Sequence, residues 1–216
     1  MAQKCLVCSS ELDELGDKVL LCFYCPQCYL LMFPNGKKLI EKDEANNKEI
    51  SKNNLTNFSH ISDDKIFALQ LFNLTIEEAW NLISESHELT NGRKPNVIVL
   101  ETSLGQIENP YEFFEAIAIL LSDSGTLIIE DKSTKDLAAI NSITADKNFY
   151  YFSTTSLNKL VEKHNLQIVD VENANNLTRW YIKHNSMYPV SPSVTQALGE
   201  DADSISSQLF VDILNS

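Results

Sequence analysis

Five cysteines lie in the first 28 residues, and four of them are spaced for metal chemistry. Cys5 and Cys8 form one C-x2-C pair, and Cys25 and Cys28 form a second with sixteen residues between the pairs. Four thiolates on two turns suit a tetrahedral zinc site, and a shell filled by protein ligands makes the metal structural. Cys22 also stands in C-x2-C spacing to Cys25, so a register that uses it remains open. The preferred ligands are Cys5, Cys8, Cys25 and Cys28, which leaves Cys22 as a small buried apolar residue. Reduced thiols without a ligand role, and disulfides, are the competing readings. Zinc is preferred on the spacing, and disulfides are disfavoured because the chain starts directly into the first pair with no apolar signal region, which points to a cytoplasmic, reducing setting.

A second group of residues concerns a ligand. Glu101, Glu130 and Asp131 each follow an apolar run of strand length. Carboxylates at the carboxyl ends of parallel strands lie where open sheets bind ligands. They are weak candidates for holding a cofactor, with Tyr150, Tyr151, Arg179 and Tyr181 on the same edge, and solvated strand ends are the competing reading. His60, His87, His164 and His184 show no metal spacing.

The elements that must position these groups centre on Asn96–Asp131. Val97–Leu100 is an apolar strand. Asn109 caps a helix with Pro110 at its first position and Glu112 in the capping box, and Phe113, Phe114, Ile117, Leu120 and Leu121 give it an apolar face. Ser122–Gly125 turns the chain into the strand Thr126–Ile129. Apolar runs without alternation predict parallel strands covered on both faces. Upstream, Ile66–Phe72 is of strand length, and Thr75 with Glu78 opens a helix whose stripe of Ile76, Ala79, Trp80 and Ile83 places Trp80 in the core. Downstream, Leu137–Ile143 has the pattern of a short helix. Phe149–Phe152 is an aromatic cluster, Ser153 or Thr154 caps a helix with Leu157, Leu160 and Val161 on one face, and Asn165 ends it in a left-handed conformation. The connection between the strands Leu166–Val171 and Leu177–Lys183 is too short for a crossover, so that pair is antiparallel. Ile205, Leu209, Phe210, Ile213 and Leu214 suggest a closing helix.

This order divides the chain into a zinc ribbon at 1–40, a polar linker at 41–60, an α/β domain at 61–186 and a C-terminal extension with a helix at 187–216. A segment of about 40 residues cannot bury a large core, so metal would supply much of the ribbon's folding energy. The 216 residues carry a formal charge of -13. With no basic patch, nucleic acid and anionic membranes are disfavoured as partners, and no apolar run approaches the length of a membrane span.

A four-cysteine ribbon followed by these elements resembles the zinc-ribbon-containing sugar C-methyltransferases of the class I S-adenosylmethionine-dependent fold. The stretches that carry the resemblance are Phe72–Ala79, Val97–Glu130, Tyr151–Val171, Arg179–Lys183 and Ser191–Val194. The resemblance implies a partial, Rossmann-like, mostly parallel sheet with an antiparallel last strand. It also implies a methyl donor held by a glycine-rich loop after the first strand and an acidic residue after the second. The six glycines, Gly16, Gly36, Gly92, Gly105, Gly125 and Gly199, include no G-x-G. The polar stretch before Ile66 is too short for two strands and two helices, so the first half of the nucleotide fold is expected to be missing. Where the family carries a Glu-His pair after its fourth strand, this chain has Gly105 and Gln106. Asp146, Lys147 and Asn148 replace a His-Glu-His run, and Ala174, Asn175, Asn176 and Leu177 replace His-Gly-Gly-Ser. Amides hydrogen-bond but do not exchange protons near neutral pH as imidazoles do. The expectation is a shortened, non-catalytic scaffold with structural Zn2+, without S-adenosylmethionine, acting through a protein partner or self-association. The alternatives are an S-adenosylmethionine-dependent C-methyltransferase of a sugar or similar small molecule, with an unusual cofactor site or completed by a partner chain, and a ribbon that recognises a protein. If the fourth strand lacks its usual neighbour, either Ile66–Phe72 moves beside it or another chain covers its edge.

Overall fold

The computed structural model describes residues 3–15, 22–32, 48–50, 68–71, 74–89, 94–132, 149–174, 177–185 and 189–204. Two sheets carry the described residues. The larger runs β4 (Lys48–Ile50), β5 (Ala68–Leu71), β6 (Val97–Leu100), β7 (Thr126–Asp131), β10 (Leu177–His184) and β9 (Leu166–Ala174) in that spatial order. The smaller runs β1 (Asp13–Leu15), β2 (Cys22–Tyr24), β3 (Leu31–Met32) and β8 (Tyr150–Tyr151).

The neighbour question at β6 has a direct answer. β5 pairs with it in parallel, Leu71 opposite Leu100, and β7 pairs with its other side. Both edges of β6 are therefore filled from within the chain. β4, inside the stretch read as a linker, adds an antiparallel strand outside β5.

The expectation of a mostly parallel sheet is corrected. Among the described residues only the β5–β6 and β6–β7 pairings are parallel. The β9–β10 pair is antiparallel, as its short connection requires, and β10 inserts between β7 and β9. One reversed strand in an interior position makes two antiparallel pairings. β4 and the small sheet add four more.

Local chemistry sets the helices. In α1 (Ile76–Leu89), Thr75 Oγ1 accepts from the Glu78 amide at 3.2 Å, and Glu78 returns a bond to the Thr75 amide at 2.8 Å. α2 (Pro110–Leu120) starts at Pro110 with Asn109 accepting from the Glu112 amide. α3 (Thr154–Glu162) is capped by Ser153, with Ser156 closing the reciprocal box, and Asn165 beyond it has φ 57°. α4 (Pro192–Ser204) packs on β9 and α3, and the Asp201 carboxylate accepts from the Thr155 amide at 2.7 Å. Phe113, Phe114, Ile117 and Leu120 of α2 share one buried core with Leu157, Leu160 and Val161 of α3 and with Ile98, Leu127, Ile129 and Trp180 of the sheet. Trp80 is not part of it. The expected core tryptophan is 54% exposed, because Ala79 and the half-buried Ile76 and Leu82 form the face of α1 turned inward. The helices expected over Leu137–Ile143 and in the last twelve residues lie outside the described residues.

Candidate metal centre and strand-end site

The two cysteine pairs build the same turn twice. Ser9 N–H donates to Cys5 O at 2.9 Å, and Tyr29 N–H donates to Cys25 O at 2.8 Å. The chain then folds back, so that Cys5 N–H reaches Ser10 O and Cys25 N–H reaches Leu30 O. Each turn closes on a residue in the left-handed region, Ser9 at φ 63° and Tyr29 at φ 62°. That geometry aims both thiols of each pair to one side. Val7 N–H also points at Cys5 Sγ, 3.4 Å away, a contact that stabilises thiolate charge.

The four sulfurs of Cys5, Cys8, Cys25 and Cys28 lie within 4.8 Å of one another. Separations of 3.6 Å (Cys5–Cys28), 3.4 Å (Cys8–Cys25) and 3.7 Å (Cys8–Cys28) far exceed a disulfide bond. They match the edge of a tetrahedron with zinc–sulfur bonds of about 2.3 Å, which is about 3.8 Å. The donor set fits zinc, and the four sulfurs fill such a tetrahedron without an added ligand. Cys22 begins β2, in backbone register with Leu15. As bare thiols, Cys5, Cys25 and Cys28 are electrostatically strained. A hydrogen bond from Cys28 holds the Cys5 thiol down at about 5, and the same bond pushes Cys28 up. Burial pushes Cys25 up to about 11. A bound cation would resolve that conflict by displacing the protons.

The cluster is built into the α3 side of the molecule. Cys5, Val7, Cys25, Cys28 and Leu30 are buried in the common core. Ser153 Oγ donates to Cys28 O at 2.8 Å, Lys159 Nζ donates to Gln27 O at 2.8 Å, and Lys163 Nζ donates to Val7 O. β3 pairs with β8, Leu31 opposite Tyr151 and Met32 opposite Tyr150.

The second site lies at the carboxyl ends of β6 and β7. After Leu100 the chain passes Thr102 and Ser103 into one 3-10 turn, Leu104–Gln106. Asp131, at the end of β7, accepts from Ser103 Oγ at 2.7 Å, from Gly105 N–H at 3.3 Å and from Lys132 N–H at 2.7 Å. Burial pushes this carboxyl up to about 6, against the pull of the hydrogen bonds from Ser103, Lys132 and Gly105. Gln106 Oε1 accepts from Thr102 Oγ1 at 3.0 Å. Phe149 N–H donates to Gly105 O at 2.7 Å, and Tyr150 OH donates to Glu108 O at 3.3 Å.

The three carboxylates picked from the sequence are not one constellation. Asp131 alone joins the 3-10 turn. Glu101 is exposed, and its amide donates to Leu71 O. Glu130 points to the opposite face from Asp131, since neighbours along a strand alternate. There it pairs with Arg179 at 2.5 Å, and Arg179 also meets Glu172, which accepts from Tyr181 OH at 2.8 Å. Tyr150 and Tyr151 lie in the small sheet, so the four edge residues named with the carboxylates divide between two places. Ser103 was missed from the sequence. Its signal was its place two residues before a glycine at a strand end, where a hydroxyl can cap a tight turn.

Residues 22–171 match a methyltransferase domain family. The chain belongs to the methyltransferase-domain family. Among solved structures, the mitomycin 7-O-methyltransferase MmcR is similar at 14% identity and a TM-score of 0.38, over 54% of this chain and 41% of that one. The methyltransferase-domain chain thus overlaps about two-fifths of that enzyme's length. No curated protein matches the sequence. None of the helices among the described residues is long and apolar enough to cross a membrane.

Proposed function

We propose that this methyltransferase-domain protein is a zinc-bearing scaffold that does not methylate carbon by itself and acts through association with a protein partner or a second copy. The observation that carries this reading is the closed polar network at the ends of β6 and β7. Gln106 is held by Thr102, and Asp131 is held by Ser103 and the Gly105 and Lys132 amides. The position that resembles the sugar C-methyltransferase Glu-His pair thus carries a glycine and a bonded amide, neither of which moves a proton near neutral pH. The absence of any G-x-G in the sequence supports the same reading. The four-cysteine cluster supports descent from the zinc-ribbon sugar C-methyltransferases within the family.

Calorimetric titration of the zinc-loaded chain with S-adenosylmethionine and S-adenosylhomocysteine tests it. No saturable heat is expected, and micromolar binding would overturn it. Sedimentation velocity over a concentration series tests the self-association, and a monomer at every concentration overturns the second-copy form of the reading. One observation favours a second reading, a methyltransferase completed by a partner. Asp131, with its carboxyl raised to about 6, is poised to exchange a proton near neutral pH at an edge where this fold binds ligands. Micromolar donor binding that appears only when a partner chain is added would favour that reading over the first.

A further inference from the structure

We infer that the metal centre governs the conformation of the strand-end turn at Gly105, through the small sheet that the ribbon and the core build together. The inference rests on the zinc reading of the cysteine cluster.

The physical path is continuous. The second cysteine turn ends at Tyr29, and two residues later β3 begins. β3 pairs with β8, a strand of two residues whose only strand partner among the described residues is β3. A two-residue strand has little hold of its own, so the pairing with β3 fixes its register, beside the anchor that Ser153 gives to Cys28 O. The amide of Phe149, beside β8, holds Gly105 O, and the hydroxyl of Tyr150, within β8, holds Glu108 O. Those bonds hold the segment from Gly105 to Glu108 at its two ends, and the Gly105 amide joins it to the Ser103–Asp131 contact.

The element with two states is the β3–β8 pairing, formed or unformed. A bound metal biases it by fixing the geometry of the Cys25–Cys28 turn. α3 fixes the other side of the ribbon, because Ser153, Lys159 and Lys163 each donate to a carbonyl of a cysteine turn. Lys163 also lies 5.3 Å from the centre of the Tyr111 ring, so its ammonium is held from two directions. With the metal removed, no bond ties the two cysteine turns together, so β3 loses its register and β8 releases the 3-10 turn. The backbone pairing of Val97–Leu100 with Thr126–Ile129 uses none of these bonds and stays closed.

Hydrogen exchange read by mass spectrometry tests this on the full chain, after elemental analysis has established about one zinc per chain. A chain purified without zinc overturns the zinc reading, and this inference with it. With zinc present, a chelator is expected to raise exchange at least tenfold in peptides covering 102–108 and 149–152. Peptides covering 97–100, 127–130 and 180–182 are expected to stay unchanged. Unchanged exchange at 102–108 overturns the coupling while leaving the zinc site standing. A uniform rise in all of these peptides also overturns it, because the metal would then hold the whole fold and not a path through it. Tyr150→Phe supplies the second arm. It is expected to keep its zinc and to raise exchange at 104–108 about threefold before any chelator is added, and no rise overturns the role of that hydroxyl.

Discussion

Single residues in this protein carry two kinds of electrostatic or conformational stress. Ser9 sits at φ 63° without the freedom of glycine, to close the turn that aims Cys5 and Cys8 inward. A left-handed L-residue costs about 1–2 kcal/mol, and the extra unfolded-state entropy of glycine returns part of that. Ser9→Gly is therefore expected to stabilise the zinc-loaded protein by about 0.5–1 kcal/mol, read as a rise in the urea midpoint. Asp131 is stressed by burial. Its folded carboxyl is raised from 3.8 to about 6, so the native state binds this proton more tightly than the unfolded chain. The cost is full above pH 6 and is relieved as the pH falls from 6 towards 4. Asp131→Asn removes the charge and can still accept from Ser103, while it gives up the bond from Lys132 N–H because its amide nitrogen does not accept. It is expected to be more stable than the parent at pH 8 by on the order of 2 kcal/mol. That advantage should vanish by pH 4, and urea unfolding at the two pH values measures both. A mutant equally placed at both would mean that the carboxyl is not desolvated.

At the scale of elements, what the sequence predicts well is what neighbours in the chain determine. Asn109 with Pro110, Thr75 with Glu78, and Ser153 all cap the helices they were assigned, and Asn165 ends α3 left-handed as its type suggests. The β9–β10 hairpin was legible because a short connection permits only one direction. Trp80 was not legible. Apolar spacing in α1 gives a stripe, and which edge of the stripe turns inward depends on α2, a partner the local pattern does not name. The Ser122–Gly125 turn is tight for a reason that only the packing reveals. A Cβ on Gly125 would lie 2.6 Å from Leu121 Cδ1, 2.8 Å from Leu121 Cγ and 2.9 Å from Ser122 O. Leu121 is fully buried and cannot swing away, and the backbone oxygen is fixed by the turn bond from Gly125 N–H. Gly125→Ala is thus expected to cost about 1–3 kcal/mol by overpacking, seen as a lower midpoint in thermal or urea unfolding. A neutral effect would show that the end of α2 gives way easily.

At the scale of the whole molecule, the cysteine cluster was legible from spacing alone, and its place in the architecture was not. A two-residue strand 118 residues after its partner leaves no periodic signal. Phe149–Phe152 reads as an aromatic cluster, and only the fold shows that its tyrosines complete a sheet begun by the ribbon. This placement would make the tyrosines reporters of a metal bound at the four cysteines. Of the seven in the chain, Tyr24, Tyr150 and Tyr151 lie in strands of the small sheet and Tyr29 closes a cysteine turn. Tyr24 and Tyr151 are fully buried there, and rings in fixed, asymmetric surroundings give near-ultraviolet circular dichroism. The helices α1 to α3 and the pairing of β6 with β7 draw their stability from a core that extends well beyond the cysteines. Chelation is therefore expected to remove a large part of the near-ultraviolet tyrosine signal while most of the far-ultraviolet signal remains. Adding zinc back should restore the lost part. If the near- and far-ultraviolet signals fell together, the small sheet and the large one would be a single cooperative unit with the metal at its root.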